Sequence, residues 1–206
     1  ANLEVVLADA AFTGGSAAVV TNATKSDLTM NFKDYREDLS GTAGTTDTVN
    51  ITAGEWTSVT NDTIFGFTPN ADGGVADVLN LPTTTIQNAA QVGAGNAGED
   101  VTVNAVVIGA ATVDANGFVT FQAADNSTGV TITSADAMTA ALTYLAIDAI
   151  VANGDTVAFA YNLGGGQEGT VVFQGNATAD VVVNLVGLTT ADTIAAAAGA
   201  TTILIS

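Results

Sequence analysis

The sequence predicts a mainly β fold: antiparallel sheets in a β-sandwich or solenoid-like stack, with one amphipathic helix at about residues 134–152 packed on a sheet. Three observations carry this. Thr, Val and Ile are abundant, and β-branched side chains fit a pleated surface. Apolar residues alternate with period 2, as in Leu3, Val5, Leu7 and again in Leu28, Met30, Phe32. Clusters of Gly, Asn and Asp separate the runs and signal turns.

Taken in order, further strands are expected at 48–52, 56–67, 101–108, 112–114, 118–122, 129–133, 156–161, 170–174, 180–188 and 202–205. Asp114-Ala115-Asn116-Gly117 lies between two alternating runs and reads as a hairpin turn, because Asn-Gly supplies positive φ angles. The helix is expected where Thr133 and Asp136 have capping-box spacing. Met138, Ala141, Leu142, Leu145 and Ala149 then share one face, widened by Tyr144, Ile147 and Val151. Asn153-Gly154 is its expected stop. An Ala-rich stretch, 192–198, is expected to form a shorter helical turn. Residues 88–99 read as a loop and the one linker, within a single domain 1–206 or between sub-lobes 1–87 and 100–206.

Charge narrows the function classes. The 206 residues carry 21 acidic and 3 basic side chains and no His, for a net charge of −18. No basic footprint for nucleic acid or an anionic membrane exists. No apolar run is long enough for a membrane-spanning helix, so no membrane insertion is expected. Residues 1–4 show neither a basic n-region nor an apolar h-region, so no signal peptide is expected there. All three cations, Lys25, Lys33 and Arg36, fall within 25–36, and from Glu37 onward 17 acids face no basic residue. Such carboxylates either spread over a solvated surface or bind divalent cations. Without His or Cys, the metals left are oxygen-seeking ones such as Ca²⁺.

Several motifs fail on context. Gly93-Ala94-Gly95-Asn96-Ala97-Gly98 matches a dinucleotide fingerprint, but a strand is expected after it where a helix is required. Asp114, Asn116 and Asp125 echo a calcium loop, yet its fifth and sixth positions would be Phe118 and Val119. The Asp-Thr pairs at 47–48, 62–63, 155–156 and 192–193 are followed by Val or Ile and read as turn-to-strand junctions. No enzymatic constellation stands out, and the chain is not expected to be an enzyme. Trp56, in an alternating run, reads as core rather than as a sugar platform.

Residues 61–206 carry an ordered set of blocks. They are Asp62-Thr63-Ile64-Phe65-Gly66-Phe67, Asp77-Val78-Leu79-Asn80-Leu81, Val113 to Phe121, and the Ala/Leu-rich stretch 134–152. Asp155-Thr156-Val157-Ala158-Phe159-Ala160-Tyr161, Asp180 to Leu188 and the tail Thr202-Ile203-Leu204-Ile205-Ser206 follow. This order resembles the C-terminal region of bacterial type I-secreted surface proteins, the S-layer proteins and large adhesins. The glycine-rich calcium nonapeptide of that family does not occur.

The resemblance implies an extracellular, cell-surface or secreted structural protein. It would self-assemble into a surface layer or filament and leave the cell by a type I-like route. Calcium is the implied cofactor, and Asp62, Asp77, Asp155 and Asp180, which open the blocks, are its expected ligands; the bland reading is that each caps a turn. The partners expected are copies of the chain itself, with cell-surface glycan as a further partner. Assembly is assigned to Leu3, Val5 and Leu7 and to Ile203 and Ile205, in strands that pair either within the chain or with a neighbour. A β-sandwich adhesin or carbohydrate-binding module, using Trp56, Tyr161 or another exposed aromatic, is the alternative. A virion or tail-fibre protein is the second.

Overall fold

A computed structural model describes residues 19–21, 29–32, 36–38, 48–51, 62–70, 76–83, 85–87, 91–92, 100–125, 127–147, 151–177, 180–196 and 202–206. The expectations placed on Leu3, Val5, Leu7, Trp56 and residues 93–98 lie outside these residues.

The first described strands wind between two sheets. β1 (Val19–Thr21), β3 (Arg36–Asp38) and β5 (Asp62–Phe65) lie side by side in one sheet. β2 (Thr29–Phe32), β4 (Thr48–Ile51) and β6 (Val78–Asn80) lie side by side in another. Every one of these pairings is parallel, where antiparallel sheets were expected. The reason is the path: the chain crosses to the other sheet after each strand and returns in the same direction. The solenoid-like expectation therefore applies to this half.

In-register rows of like residues run across this stack. Asn31, Asn50 and Asn80 are successive register partners, and so are Met30, Val49 and Leu79. Asn80 Nδ2 donates to Asn50 Oδ1 at 2.5 Å, one rung of an amide row. Val49 and Leu79 are fully buried.

The second half is built from hairpins. β14 (Asp155–Asn162), β15 (Glu168–Gln174) and β16 (Val181–Val186) form an antiparallel meander. The wound strands join it: β5 pairs in parallel with β16, and β7 (Thr85–Ile86) pairs in parallel with β14. The central sheet thus has the order β1-β3-β5-β16-β15-β14-β7. β17 (Ile194–Ala196) and β18 (Ile203–Ile205) complete the second sheet, in the order β17-β18-β6-β4-β2. Strands from both sides of 88–99 share both sheets, so 1–87 and 100–206 are interleaved rather than separate lobes. Of the stretch 192–198, expected to form a helical turn, the described part holds strand β17 instead, because Ile194 is buried and pairs with Ile205; residues 197–198 lie outside the described residues.

A third layer covers the outer face of the central sheet. β8 (Gln91–Val92), β11 (Ala110–Val113), β12 (Val119–Gln122) and β13 (Gly129–Val130) form a sheet in the order β13-β12-β11-β8. β8 lies inside the stretch expected to be a loop. The expected strand 101–108 is a tight hairpin of β9 (Val101–Val103) and β10 (Val106–Ile108), reversed at Asn104 with φ of 51°. Asn tolerates that left-handed conformation better than most residues.

Helix α1 (Ala135–Leu145) packs on β9 and β10 and is shorter than expected. Ser134, one residue beyond the expected cap, accepts from Ala137 N–H at 3.1 Å. Its last turn closes at Ala146, whose N–H reaches Leu142 O at 3.0 Å. Asn153-Gly154 serves as the turn into β14 rather than as a helix stop: Asp155 N–H bonds to Ala152 O, and Gly154 has φ of 92°. Val151 is apolar because it is buried in the core, not because the helix continues.

Two cores result. One lies between the two stacked sheets and contains Val49, Ile51, Ile64, Leu79, Val183, Leu185 and Ile203. The other lies between the central sheet and the third layer and contains Phe121, Tyr144, Leu145, Phe159, Val171 and Phe173. Phe121 meets Phe159 edge to face at 5.2 Å between ring centres. The central sheet is covered on both faces here, which is why Val157, Ala158 and Phe159 are buried in succession.

Candidate functional site

The expected hairpin turn is present and has a second use. Asp114 Oδ1 accepts from Asn116 N–H and Phe118 N–H, both at 2.8 Å. Gly117 alone carries the positive φ, 81°, rather than Asn116 with it. Gly117 is buried under Ile86 and Ile194; a Cβ there would lie 2.6 Å from Ile194 Cγ1. Gly117 O accepts from Ala158 N–H and Asn116 O accepts from Ile194 N–H, each at 2.9 Å. The turn is a joint between layers, and Asp114 serves it rather than a calcium loop.

The four aspartates assigned to calcium sit at four separate turn-to-strand junctions. Asp77 is 1% exposed before β6; its Oδ2 accepts from Thr68 N–H at 2.7 Å, while its own N–H donates to Thr68 O at 2.9 Å. Asp180 Oδ1 accepts from Asn176 N–H at 2.9 Å before β16. Asp62, 5% exposed, opens β5 opposite Val183. Asp155 is partly exposed at the start of β14 opposite Thr85. Among the described residues no three acidic side chains form a group able to hold a metal. Asp77 and Asp180 each spend a carboxylate oxygen on a backbone N–H upstream in the chain, which ties the incoming segment to the start of the strand.

The assembly residues are divided. Ile203 and Ile205 are fully buried, and β18 has β17 on one side and β6 on the other. This strand pairs within its own sheet, so it is not an edge open to a neighbour. The terminal described strands on the wound side are β1 in the central sheet and β2 in the second.

Two clefts flank Tyr161. One, of about 510 Å³, runs between β12–β13 and the end of β14, past Phe118, Thr133 and Glu168. The other, of about 380 Å³, lies beside the helix over β5 and β16. Tyr161 is 5% exposed, so it is a wall between the clefts and not the exposed aromatic that the alternative reading, a carbohydrate-binding module, would use. Its position follows from Gly169, its register partner: a Cβ there would come within 3.1 Å of the Tyr161 hydroxyl and far closer to Leu185 O. The Tyr161 hydroxyl borders the space that a side chain would fill. Burial raises the Tyr161 pKa above the ordinary tyrosine value, a hydrogen bond from Asn184 partly offsets this, and the charge of Glu168 adds to the rise.

A buried amide network also escaped the sequence reading. Gln174, 1% exposed, donates from Nε2 to Thr83 O at 2.9 Å and to Thr156 Oγ1 at 2.7 Å. Thr83 N–H donates to its Oε1 at 3.3 Å. The network pins the connection into β7 onto the meander. No sequence signal distinguishes this Gln, since a polar residue in a strand is ordinarily placed facing water.

Comparison with protein-family profiles, with curated proteins and with solved structures gives no match.

Proposed function

We propose that this chain is an extracellular structural protein that assembles with copies of itself into a surface layer or filament. The observation that carries the reading is the winding of β1 to β6. It builds two parallel stacks that end, among the described residues, in β1 of the central sheet and β2 of the second. Strand edges present rows of N–H and C=O groups that template pairing with another chain. The in-register rows Asn31-Asn50-Asn80 and Met30-Val49-Leu79 support it, because such rows extend by adding like strands. In this reading Leu3, Val5 and Leu7 belong to the strand that one copy lends to the next. Ile203 and Ile205 anchor the stack internally instead. Calcium enters as a charge-neutralising partner for a chain of net charge −18, with the turn-capping aspartates at its points of contact.

Electron microscopy and light scattering of the purified chain, in chelator and then in millimolar Ca²⁺, test this. Ordered sheets or filaments are expected, and their dependence on Ca²⁺ reports whether the carboxylates form the switch. A monodisperse monomer in both conditions overturns assembly.

A further inference from the structure

The Asp114 turn does more than join layers: it stands on an edge of each stacked sheet. Among the described residues, β7 ends the central sheet on the side opposite β1, and β17 ends the second sheet on the side opposite β2. β17 packs against β7. Gly117 is wedged between these two strands. A Cβ on it would lie 2.7 Å from Ile86 Cγ2 of β7 and 2.6 Å from Ile194 Cγ1 of β17.

A sheet edge recruits a further strand through its outward N–H and C=O groups. β14 has eight residues, and β7 pairs with only its first two, Asp155 and Thr156. Alternate residues of β14 turn their main-chain groups toward that side. Thr156 O accepts there from Gln87 N–H at 3.0 Å. Ala158 N–H donates to Gly117 O at 2.9 Å, and Asn162 N–H donates to Ile132 O at 2.8 Å. Three separate segments therefore occupy an edge that one added strand would otherwise take.

The same turn reaches the second sheet. Thr193 N–H donates to Ser206 O at 2.9 Å and Ser206 N–H returns to Thr193 O at 3.0 Å, on the β18 side. The next residue, Ile194, turns its N–H outward, where Asn116 O accepts it at 2.9 Å. Two consecutive carbonyls, of Asn116 and Gly117, thus engage one edge of each sheet. The turn is preset for this, since Asp114 Oδ1 accepts from Asn116 N–H and Phe118 N–H while Asp114 N–H donates to Phe118 O.

We propose that the Asp114–Phe118 turn is an edge plug that keeps a second copy of this chain from adding a strand to β14 and β17. Covering an edge with another part of the chain is one of the ways sheets avoid unwanted pairing. The plug gives the molecule a direction: strand addition is blocked at the β7 and β17 end, whatever happens at β1 and β2. The inference does not rest on assembly at β1 and β2, because it concerns the opposite edges.

The test compares two variants of the full chain with the parent in the same buffer, by light scattering and by NMR hydrogen exchange. Asp114→Ala removes the carboxylate that presets the turn, and Gly117→Val drives a side chain between Ile86 and Ile194. In dilute solution the Ala158 and Ile194 amides should exchange about tenfold faster, the factor that one lost hydrogen bond corresponds to. As concentration rises, the variants should reach about twice the parent's mass or more, the smallest step that pairing of copies makes. The two amides should then regain protection. A mass that stays at the parent's in every folded variant overturns the plug, whatever the two amides do. Association that leaves both amides exchanging fast also overturns it, because another surface would then carry the contact. If Gly117→Val fails to fold, Asp114→Ala, which adds no side chain to the core, decides alone. The parent's own mass tests assembly at β1 and β2, and only the difference between variant and parent tests the plug.

Discussion

The wound half, β1 to β6, and the hairpin half, β9 to β16, solve the same problem differently. In the wound half each strand finds its neighbour one full circuit later, as Asn50 finds Asn80 and Arg36 finds Thr63. In the hairpin half neighbours are adjacent in sequence, and short turns such as Asp114 to Gly117 set the register. Local pairing is written in turn residues; pairing through a circuit depends on burial of the two sheets against each other. The halves then share the central sheet, since β5 pairs with β16. Independent melting is therefore not expected of them.

The largest test of that comparison is a matched pair of core truncations. Phe173→Ala in the hairpin half should cost about 3–5 kcal/mol, and Leu79→Ala in the wound half about 2–5 kcal/mol, both residues being fully buried. Denaturant melts followed by circular dichroism should shift a single transition in both variants. Two transitions, with Leu79→Ala moving only one, would break the interleaved reading.

Asp77 sharpens it inside the wound half, on the connection from β5 to β6. Asp77→Ala leaves the Thr68 N–H without its carboxylate partner and should cost about 1–3 kcal/mol. Added Ca²⁺ should raise the melting temperature of the parent chain more than that of Asp77→Ala if the carboxylate also contacts the ion. Equal shifts would confine Asp77 to the turn.

Helix α1 provides a smaller effect. Ser134→Ala removes the cap on Ala137 N–H and should cost about 1 kcal/mol. Thr133→Ala should cost less, because the cap is at Ser134. Equal losses in urea melts would move the helix start.

The smallest effect is on acid behaviour. Asp125 Oδ1 accepts from Ser127 N–H at 3.0 Å and Thr128 N–H at 2.8 Å, and Oδ2 accepts from Thr128 Oγ1 at 2.5 Å. The side-chain bond from Thr128, then the backbone bonds, hold its pKa below the usual carboxylate range. A depressed folded pKa contributes stability that is complete above the unfolded value of about 3.9 and is lost as pH falls below it. Asp125→Asn should therefore reduce the acid sensitivity of the 123–129 turn. NMR titration of the Asp125 carboxyl with an ordinary midpoint would contradict the hydrogen bonding.

Much of the hairpin half was legible. The alternating runs near 118–122, 156–161 and 170–174 became β12, β14 and β15, and the Asp114 turn formed where expected. The helix was legible in its face but not in its end: Ile147 and Val151 continue an apolar pattern that serves core burial after the helix has stopped. The clefts were not legible, because Tyr161 and Asn184 come together only when β14 and β16 are separated by one strand whose Gly169 lacks a side chain.

By itself the sequence determined the β-rich class, the turns that Gly, Asn and Asp demand, the presence of a capped amphipathic helix, and a net charge of −18. These follow from local sterics, periodicity and charge, which act over a few residues or need no geometry. Only the tertiary structure decided that β1 to β6 pair in parallel within their sheets, that Ile194–Ala196 is a strand, that Ile203 and Ile205 are internal, and that the four aspartates open different strands. Those outcomes depend on which apolar face meets which across a long stretch of chain, and burial of that kind leaves no local mark.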